Sequence, residues 1–418
     1  MQQTISPIDN TVYVERRLAT ASDIDKALSR ARSAQRAWRT VSVIERAAIL
    51  TRFCDVFEQQ RDAIAHELTR QMGRPIRYAP GEVNGTLERA RHMIEIAPRA
   101  LADIDAGPKQ NFRRFVRREP LGVVFTVAAW NYPYLIAVNS IVPAIMAGNA
   151  VILKHSAQTP LCAERFDQCI RAAGLPEGVF QFLHLSHADT ERVIKDPRVD
   201  FVAFTGSVAG GHAVQRAAAE RFIGMGLELG GCDPVYVRHD ANLGHAIENV
   251  VDGAYFNSGQ SCCGLQRVYV HESIYDSFLE GFVDLTRKYE LGDPLQGSTT
   301  LGPVVRTAAA DTIRKQISAS INAGATPVIE ESEFPASRTG TAYLAPQVLI
   351  HVDHSMPVMK EEIFGPVAGI MKVSSDEDAV NLMNDSAFGL TAAIWTSDDD
   401  AAISIGERIE TGTWFMNR

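Results

Sequence analysis

LGVVFTVAAWNYPYLIAVNSIVPAIMAGNAVILK, residues 121–154, carries no charged side chain before its final lysine. A run this apolar has two physical readings, a membrane span or buried core. Asn131, Pro133, Asn139, Ser140, Pro143, Gly148 and Asn149 interrupt it, whereas a spanning helix needs about 20 predominantly apolar residues without such breaks. The pattern therefore predicts a buried strand over 121–130, a loop over 131–135, a helix over 136–148 and a second strand over 150–154. Strands covered on both faces of a parallel sheet read as continuous apolar runs.

The flanking sequence extends this alternation. N-terminal to it, Ser22 with Asp25 and Ser42 with Glu45 are capping-box patterns. Ile49, Phe53 and Phe57 recur on one helical face. Gly73 and Pro75 close that region, and a further helix is expected over 83–101. NFRRFVRREP, 111–120, alternates apolar and basic residues like an exposed hairpin strand. C-terminal to it, VFQFLHL, VDFVAF, GLELGG, PVYV, RVYVHES, ATPVIE, AGIMKVSS and TAAIWTS read as strands separated by helical stretches. Such alternation implies βαβ units and parallel sheets. It falls into two runs divided near residue 230, so the fold class is α/β with two Rossmann-like parallel-sheet domains.

Composition agrees. The 418 residues are 46% hydrophobic and 22% charged, with 30 Gly and 19 Pro, which is ordinary for globular chains. A net charge of −9 lacks the basic footprint of a nucleic-acid binder. Six cysteines, with no CxxC and no zinc-ligand spacing, argue against a disulfide scaffold or a metal site. The N-terminus has no basic start followed by an apolar core, so a cytoplasmic protein without a membrane span is expected.

Four short stretches carry chemistry. Cys262, in GQSCC, sits in a Gly-containing loop, and a thiolate attacks carbonyl carbon well once its proton is removed. A buried structural cysteine is the competing reading. Glu228 lies in the apolar run LELGG, where burial would raise its pKa toward a general base. Asn131, after an apolar strand in AAWNYP, could donate to an oxyanion or simply form a turn. FTGSVAGG opens a helix after a strand, letting backbone N–H groups approach a pyrophosphate. Lys154 ends a strand, where α/β folds bind ligands.

In this order the motifs resemble the aldehyde dehydrogenase superfamily, in its NAD(P)-dependent, non-CoA-acylating branch. The resemblance rests on EPLGVV (119–124), WNYP (130–133), PAIMAGNAVILK (143–154), FTGSV (204–208), ELGG (228–231), FNSGQSC (256–262) and EEIFGPV (361–367). It implies that Cys262 is the nucleophile, Glu228 the base that activates water, and Asn131 the oxyanion donor together with the Cys262 N–H. It implies that Lys154 binds the adenosine ribose, Gly206 and Ser207 form the pyrophosphate turn, Glu362 and Phe364 hold the nicotinamide ribose and ring, and Trp130 lies beside the cofactor. The implied reaction is attack on an aldehyde, hydride loss to NAD or NADP, and hydrolysis of a Cys262 thioester to an acid, with no metal.

The chain departs from the family pattern in three places. Lys-Pro-Ser-Glu becomes Lys154-His155-Ser156-Ala157, and losing the Glu leaves NADP open alongside NAD. Asn139 stands where relatives place an arginine or a bulky aromatic. It predicts a pocket of mixed polarity, with Tyr132, Leu135, Ile136, Ser261 and Cys263 as further candidate walls and a semialdehyde among the substrates. The resemblance also implies several tens of residues after GTWFMNR, so the chain reads as C-terminally shortened, with 412–418 a stub.

The expected organisation is a cofactor-binding domain over 1–97 and 120–229, a catalytic domain over 230–411 and an oligomerisation hairpin over 98–119. A homo-dimer or tetramer is expected for the full-length form, with a small-molecule aldehyde as partner. Two other readings compete: a catalytically weak relative serving as a cofactor-binding or structural protein, and a cofactor-free cysteine esterase.

Overall fold

A computed structural model describes residues 1–418 as two units. The first comprises 1–5, 12–71 and 78–229; the second comprises 6–11, 72–77 and 230–418. Segments 6–11 and 72–77, expected in the first domain, group with the second for local reasons. Ile76 N–H donates to the Pro294 carbonyl at 2.7 Å, and the Tyr343 hydroxyl donates to the Ile8 carbonyl at 3.3 Å.

The first unit is built on a five-stranded parallel sheet. Its strands are β1 (Val123–Ala128), β2 (Ala150–His155), β3 (Phe180–Phe182), β4 (Phe201–Thr205) and β5 (Gly224–Glu228), in spatial order β3-β2-β1-β4-β5. Every residue of β1 and β2 is buried, which explains why no charged residue precedes Lys154 in either strand. Leu28 and Ala31 of helix Ala21–Trp38 pack with Val123, Phe125, Ile152 and Val202 to form the core. That helix is capped by Thr20 and Asp23 rather than by Ser22 and Asp25. Thr20 is the residue in extended backbone, and Ser22 already lies inside the first turn. Ser42 and Glu45 form the expected capping box.

Helix Pro133–Met146 starts three residues earlier than expected, because proline suits the first helical position. Its N-cap residue, Tyr132, supplies no side-chain cap. Instead the buried carboxylate of Glu82, on helix Ala79–Ala100, accepts from Tyr134 N–H at 2.9 Å and Leu135 N–H at 3.2 Å. The opposite end is closed by buried Arg46. An acid at the amino end and a base at the carboxyl end both complement the helix dipole. Residues 104–116 form a short antiparallel hairpin on which Ile104, Phe112, Phe115 and Val116 are exposed.

The second unit holds a seven-stranded sheet. Its strands are β6 (Asp233–Val237), β7 (Leu265–His271), β8 (Thr326–Pro327), β9 (Gln347–Ile350), β10 (Val367–Val373), β11 (Thr391–Trp395) and β12 (Thr413–Met416). The order is β8-β9-β10-β7-β6-β11-β12, parallel throughout except for the β8–β9 pair. Within 412–418, β12 pairs with β11 from Thr391↔Thr413 to Ile394↔Met416. No helix is long and apolar enough to cross a membrane.

Candidate active site

In the first unit the candidate catalytic and cofactor-binding residues lie at or just after the carboxyl end of a strand. Trp130 and Asn131 follow β1, Lys154 lies in the last two residues of β2, Gly206 and Ser207 follow β4, and Glu228 ends β5. From neighbouring β1 and β4 the chain departs in opposite directions, to β2 and to β5. Such a switch point opens a crevice at the carboxyl ends where dinucleotides bind.

The local chemistry fits such a ligand. Lys154 is buried along most of its side chain, and burial lowers its pKa. Ser207 N-caps helix Val208–Ala218 by accepting from Gly210 N–H at 3.2 Å. A Cβ on Gly206 or Gly210 would come within 2.7 Å or 2.6 Å of the Phe204 ring. The turn is therefore bare backbone, with N–H groups at a helix amino end.

Asn131 is buried, while Tyr132, Leu135 and Ile136 are partly exposed and Asn139 is exposed. Their spacing of three, four and seven residues puts these last four on one face of Pro133–Met146. The opposite face, with Tyr134, Ala137, Val138 and Ile141, is buried. Glu228 differs from expectation: it is exposed, because it is the last residue of an edge strand, not part of a buried run.

In the second unit the candidate functional residues precede strands. Gly230 and Gly231 come before β6, Cys262 before β7, and Glu362 and Phe364 before β10. The loop delivering Cys262 contains consecutive left-handed residues: Asn257 (φ 55°), Ser258 (φ 57°) and Gly259 (φ 69°). Left-handed backbone costs a non-glycine residue roughly 1–2 kcal/mol, so the surroundings must impose it. Asn257 Oδ1 accepts from Arg74 Nε at 3.0 Å, and the Ser258 hydroxyl donates to the Gly302 carbonyl at 2.8 Å. Gln260 Nε2 donates to the Asn257 carbonyl at 3.0 Å while its Oε1 accepts Val305 N–H at 2.7 Å. Asn257, Gln260 and Arg74 are thus positioning elements that sequence reading missed. A polar side chain beside a glycine in FNSGQSC was the available signal.

The Cys262 thiol is partly exposed, Cys263 is exposed, and Ser261 Oγ lies 3.4 Å from Cys263 Sγ. The hydrogen bond to Cys263, then burial, then the nearby Asp233 and Glu362 carboxylates push the Cys262 pKa up. These groups bias Cys262 toward its protonated form. A small cleft beside it is lined by Gly231, Gly259, Ser261, Glu362 and Phe364. Glu362 Oε1 accepts Gly231 N–H at 3.1 Å, and burial raises the Glu362 pKa. Phe364 itself is left-handed (φ 54°). Asp233, which sequence reading did not single out, is buried and hydrogen-bonded to the Thr391 hydroxyl.

A dinucleotide-type strand order in one unit and a loop-borne thiol in the other define a nicotinamide-dependent oxidoreductase with a cysteine site. The chain belongs to the aldehyde dehydrogenase family, whose profile matches residues 1–418. It is 31% identical over 416 residues to a D-glyceraldehyde dehydrogenase (NADP(+)) of Thermoplasma acidophilum, covering 99% of this chain and 84% of that one. It is 33% identical over 417 residues to a succinate-semialdehyde dehydrogenase [NADP(+)] of Mycobacterium avium, covering 99% and 88%. The crystal structure of a succinic semialdehyde dehydrogenase from Streptococcus pyogenes in complex with NADP+ superimposes with a TM-score of 0.95 at 29% identity, covering 100% and 91%. The protein is an NAD(P)-dependent aldehyde dehydrogenase that oxidises an aldehyde to its carboxylic acid.

Proposed function

We propose that Cys262, Glu228 and Asn131 carry this oxidation and that the substrate is a short aldehyde with a polar distal group, of the semialdehyde class. The carrying observation is the imposed left-handed turn, which fixes a protonated thiol beside the Glu362–Phe364 cleft. Glu228, exposed at its strand end, takes the thiol proton as sulfur bonds to the carbonyl carbon. The oxyanion is met by the Asn131 amide and the Cys262 N–H. When bound, the nicotinamide accepts the hydride that leaves that carbon. Cys262 then holds a thioester; Glu228, having passed the thiol proton to solvent, takes a proton from water, and hydrolysis frees the acid while that proton returns to the Cys262 sulfur. Lys154, Gly206, Ser207, Glu362, Phe364 and Trp130 hold the cofactor.

The accessible face bearing Tyr132, Leu135, Ile136 and Asn139 supports a pocket of mixed polarity. NADP is the preferred cofactor in this reading, supported by Ala157 and by the NADP-dependent relatives. The exposed apolar hairpin supports a homo-dimer or tetramer, and the sparse use of cysteine supports a cytoplasmic setting. Specificity constants for succinate semialdehyde, glyceraldehyde, hexanal and benzaldehyde, each with NAD and NADP, test the proposal. The two polar aldehydes with NADP should be preferred; a preference for hexanal, benzaldehyde or NAD counts against it. Cys262→Ala should abolish NADPH formation.

A further inference from the structure

We infer that His155 is a positioning residue that clamps the oxyanion turn, an inference resting on the reading of Asn131 as oxyanion donor. His155 is the last residue of β2 and pairs with Ala128, the last residue of β1. Asn131 follows Ala128 by three positions. The His155 ring is buried, and Nε2 lies 3.1 Å from the Pro133 carbonyl. A carbonyl only accepts, so Nε2 carries the proton and donates. Nδ1 is the acceptor, receiving Ser156 N–H at 2.9 Å and the Thr159 hydroxyl at 3.0 Å. The tautomer is fixed by these two donors.

The consequence lies in what is held around Asn131. On one side the β1–β2 ladder ends at Ala128. On the other, the helix start is held twice: Glu82 takes the N–H groups of Tyr134 and Leu135, and His155 takes the Pro133 carbonyl. Only residues 129–132 lie between these anchors. An oxyanion donor must be preorganised to stabilise charge without reorganising during reaction. The usual proline at position 155 offers no donor, so this contact belongs to the particular sequence Lys154-His155-Ser156-Ala157.

The test compares His155→Leu, His155→Asn and His155→Gln in the full chain. All three lose the ring's acceptor geometry, but only glutamine places an N–H donor where Nε2 stood. The readout is the rate of the NADPH burst at saturating succinate semialdehyde and NADP, with KM for NADP alongside. His155→Leu and His155→Asn should slow the burst roughly three- to tenfold, the worth of one neutral hydrogen bond, with KM for NADP little changed. His155→Gln should recover most of that loss. Wild-type burst rates in the leucine and asparagine variants, or a glutamine variant as slow as asparagine, would overturn the clamp. Should the leucine variant not fold, the asparagine–glutamine pair carries the same comparison. Asn131→Ala is run in parallel: a slow burst there with unaffected His155 variants rejects the clamp alone. A full-rate Asn131→Ala rejects the oxyanion reading beneath it.

Discussion

Arg46 donates to the Met146 carbonyl at 2.8 Å from a buried guanidinium, closing the helix whose amino end follows Asn131. The same group reaches the Arg39 carbonyl at 3.0 Å and the Trp38 carbonyl at 3.3 Å. One side chain therefore terminates two helices. Arg46→Met keeps much of the volume but strips a donor from three carbonyls. We expect a loss of about 2–4 kcal/mol in stability, read from the urea midpoint. A midpoint within error of wild type would show that water replaces the guanidinium at no cost.

Cys263 is the foremost of the groups that raise the pKa of its neighbour. Because its hydrogen bond is the foremost reason that the Cys262 pKa is high, Cys263→Ala should lower that pKa. Each unit of lowering raises the thiolate fraction about tenfold below the pKa. Alkylation by iodoacetamide at neutral pH, followed by mass spectrometry of the Cys262 peptide, should therefore accelerate. An unchanged rate contradicts the assignment.

Gly231 and Gly230 differ in what a methyl group would strike. On Gly231 a Cβ would lie 2.2 Å from the Cys262 carbonyl oxygen and 2.8 Å from Asp233 Oδ1. The first of these is backbone and cannot rotate away. On Gly230 the nearest atom, also at 2.2 Å, is a Glu362 side-chain oxygen. Gly231→Ala should cost about 1–3 kcal/mol of stability and more than tenfold in kcat, roughly what a misplaced nucleophile costs. Gly230→Ala should act chiefly on KM for the cofactor. Steady-state kinetics of both variants decide; equal effects on both parameters refute the distinction.

Asp233 and His155 give opposite pH dependences. Burial, countered by Thr391 hydrogen bonds, pushes Asp233 up to about 7 from 3.8. The folded state then binds the proton more tightly, so this contribution is full below pH 3.8 and lost as pH rises through about 7. Burial pulls His155 down from 6.5 to about 4, so its contribution is present above pH 6.5 and lost as pH falls through about 4. Asp233→Asn removes the first dependence only. It should gain on wild type as pH rises between these limits, by at most ~1.4 kcal/mol per pH unit. Urea midpoints at pH 4.5 and pH 7 measure the gain, and a constant difference between the two proteins excludes it.

The uncharged run 121–153 was legible because two buried strands and a half-buried helix leave no place for charge. The capping box at Ser42 was legible because all its partners lie within four residues. Thr20 lost out to Ser22 in the sequence because both neighbours fit the same pattern, and only backbone conformation separates them. Strand β9 went unseen because four residues behind Pro346 carry too little periodicity. At the site, the motif residues announced themselves, but their supports did not. Glu82, Arg46, His155 and Arg74 act across 22 to 183 positions of sequence, and no local pattern encodes such a pairing. Glu228 misled for a related reason: apolar neighbours suggested burial, while its place at a sheet edge exposes it.

Functional loops trail the strands of one sheet and lead into the strands of the other. That opposition has an evolutionary consequence. A loop leaving β2 or β4 can lengthen, shorten or change charge without disturbing the register in which β7 or β10 enters its ladder. Under the proposed roles, cofactor choice can drift while the thiol and its cleft stay under separate selection. Engineers inherit the same independence: libraries confined to 154–158 should alter which dinucleotide is accepted while leaving the intrinsic alkylation rate of Cys262 where it was.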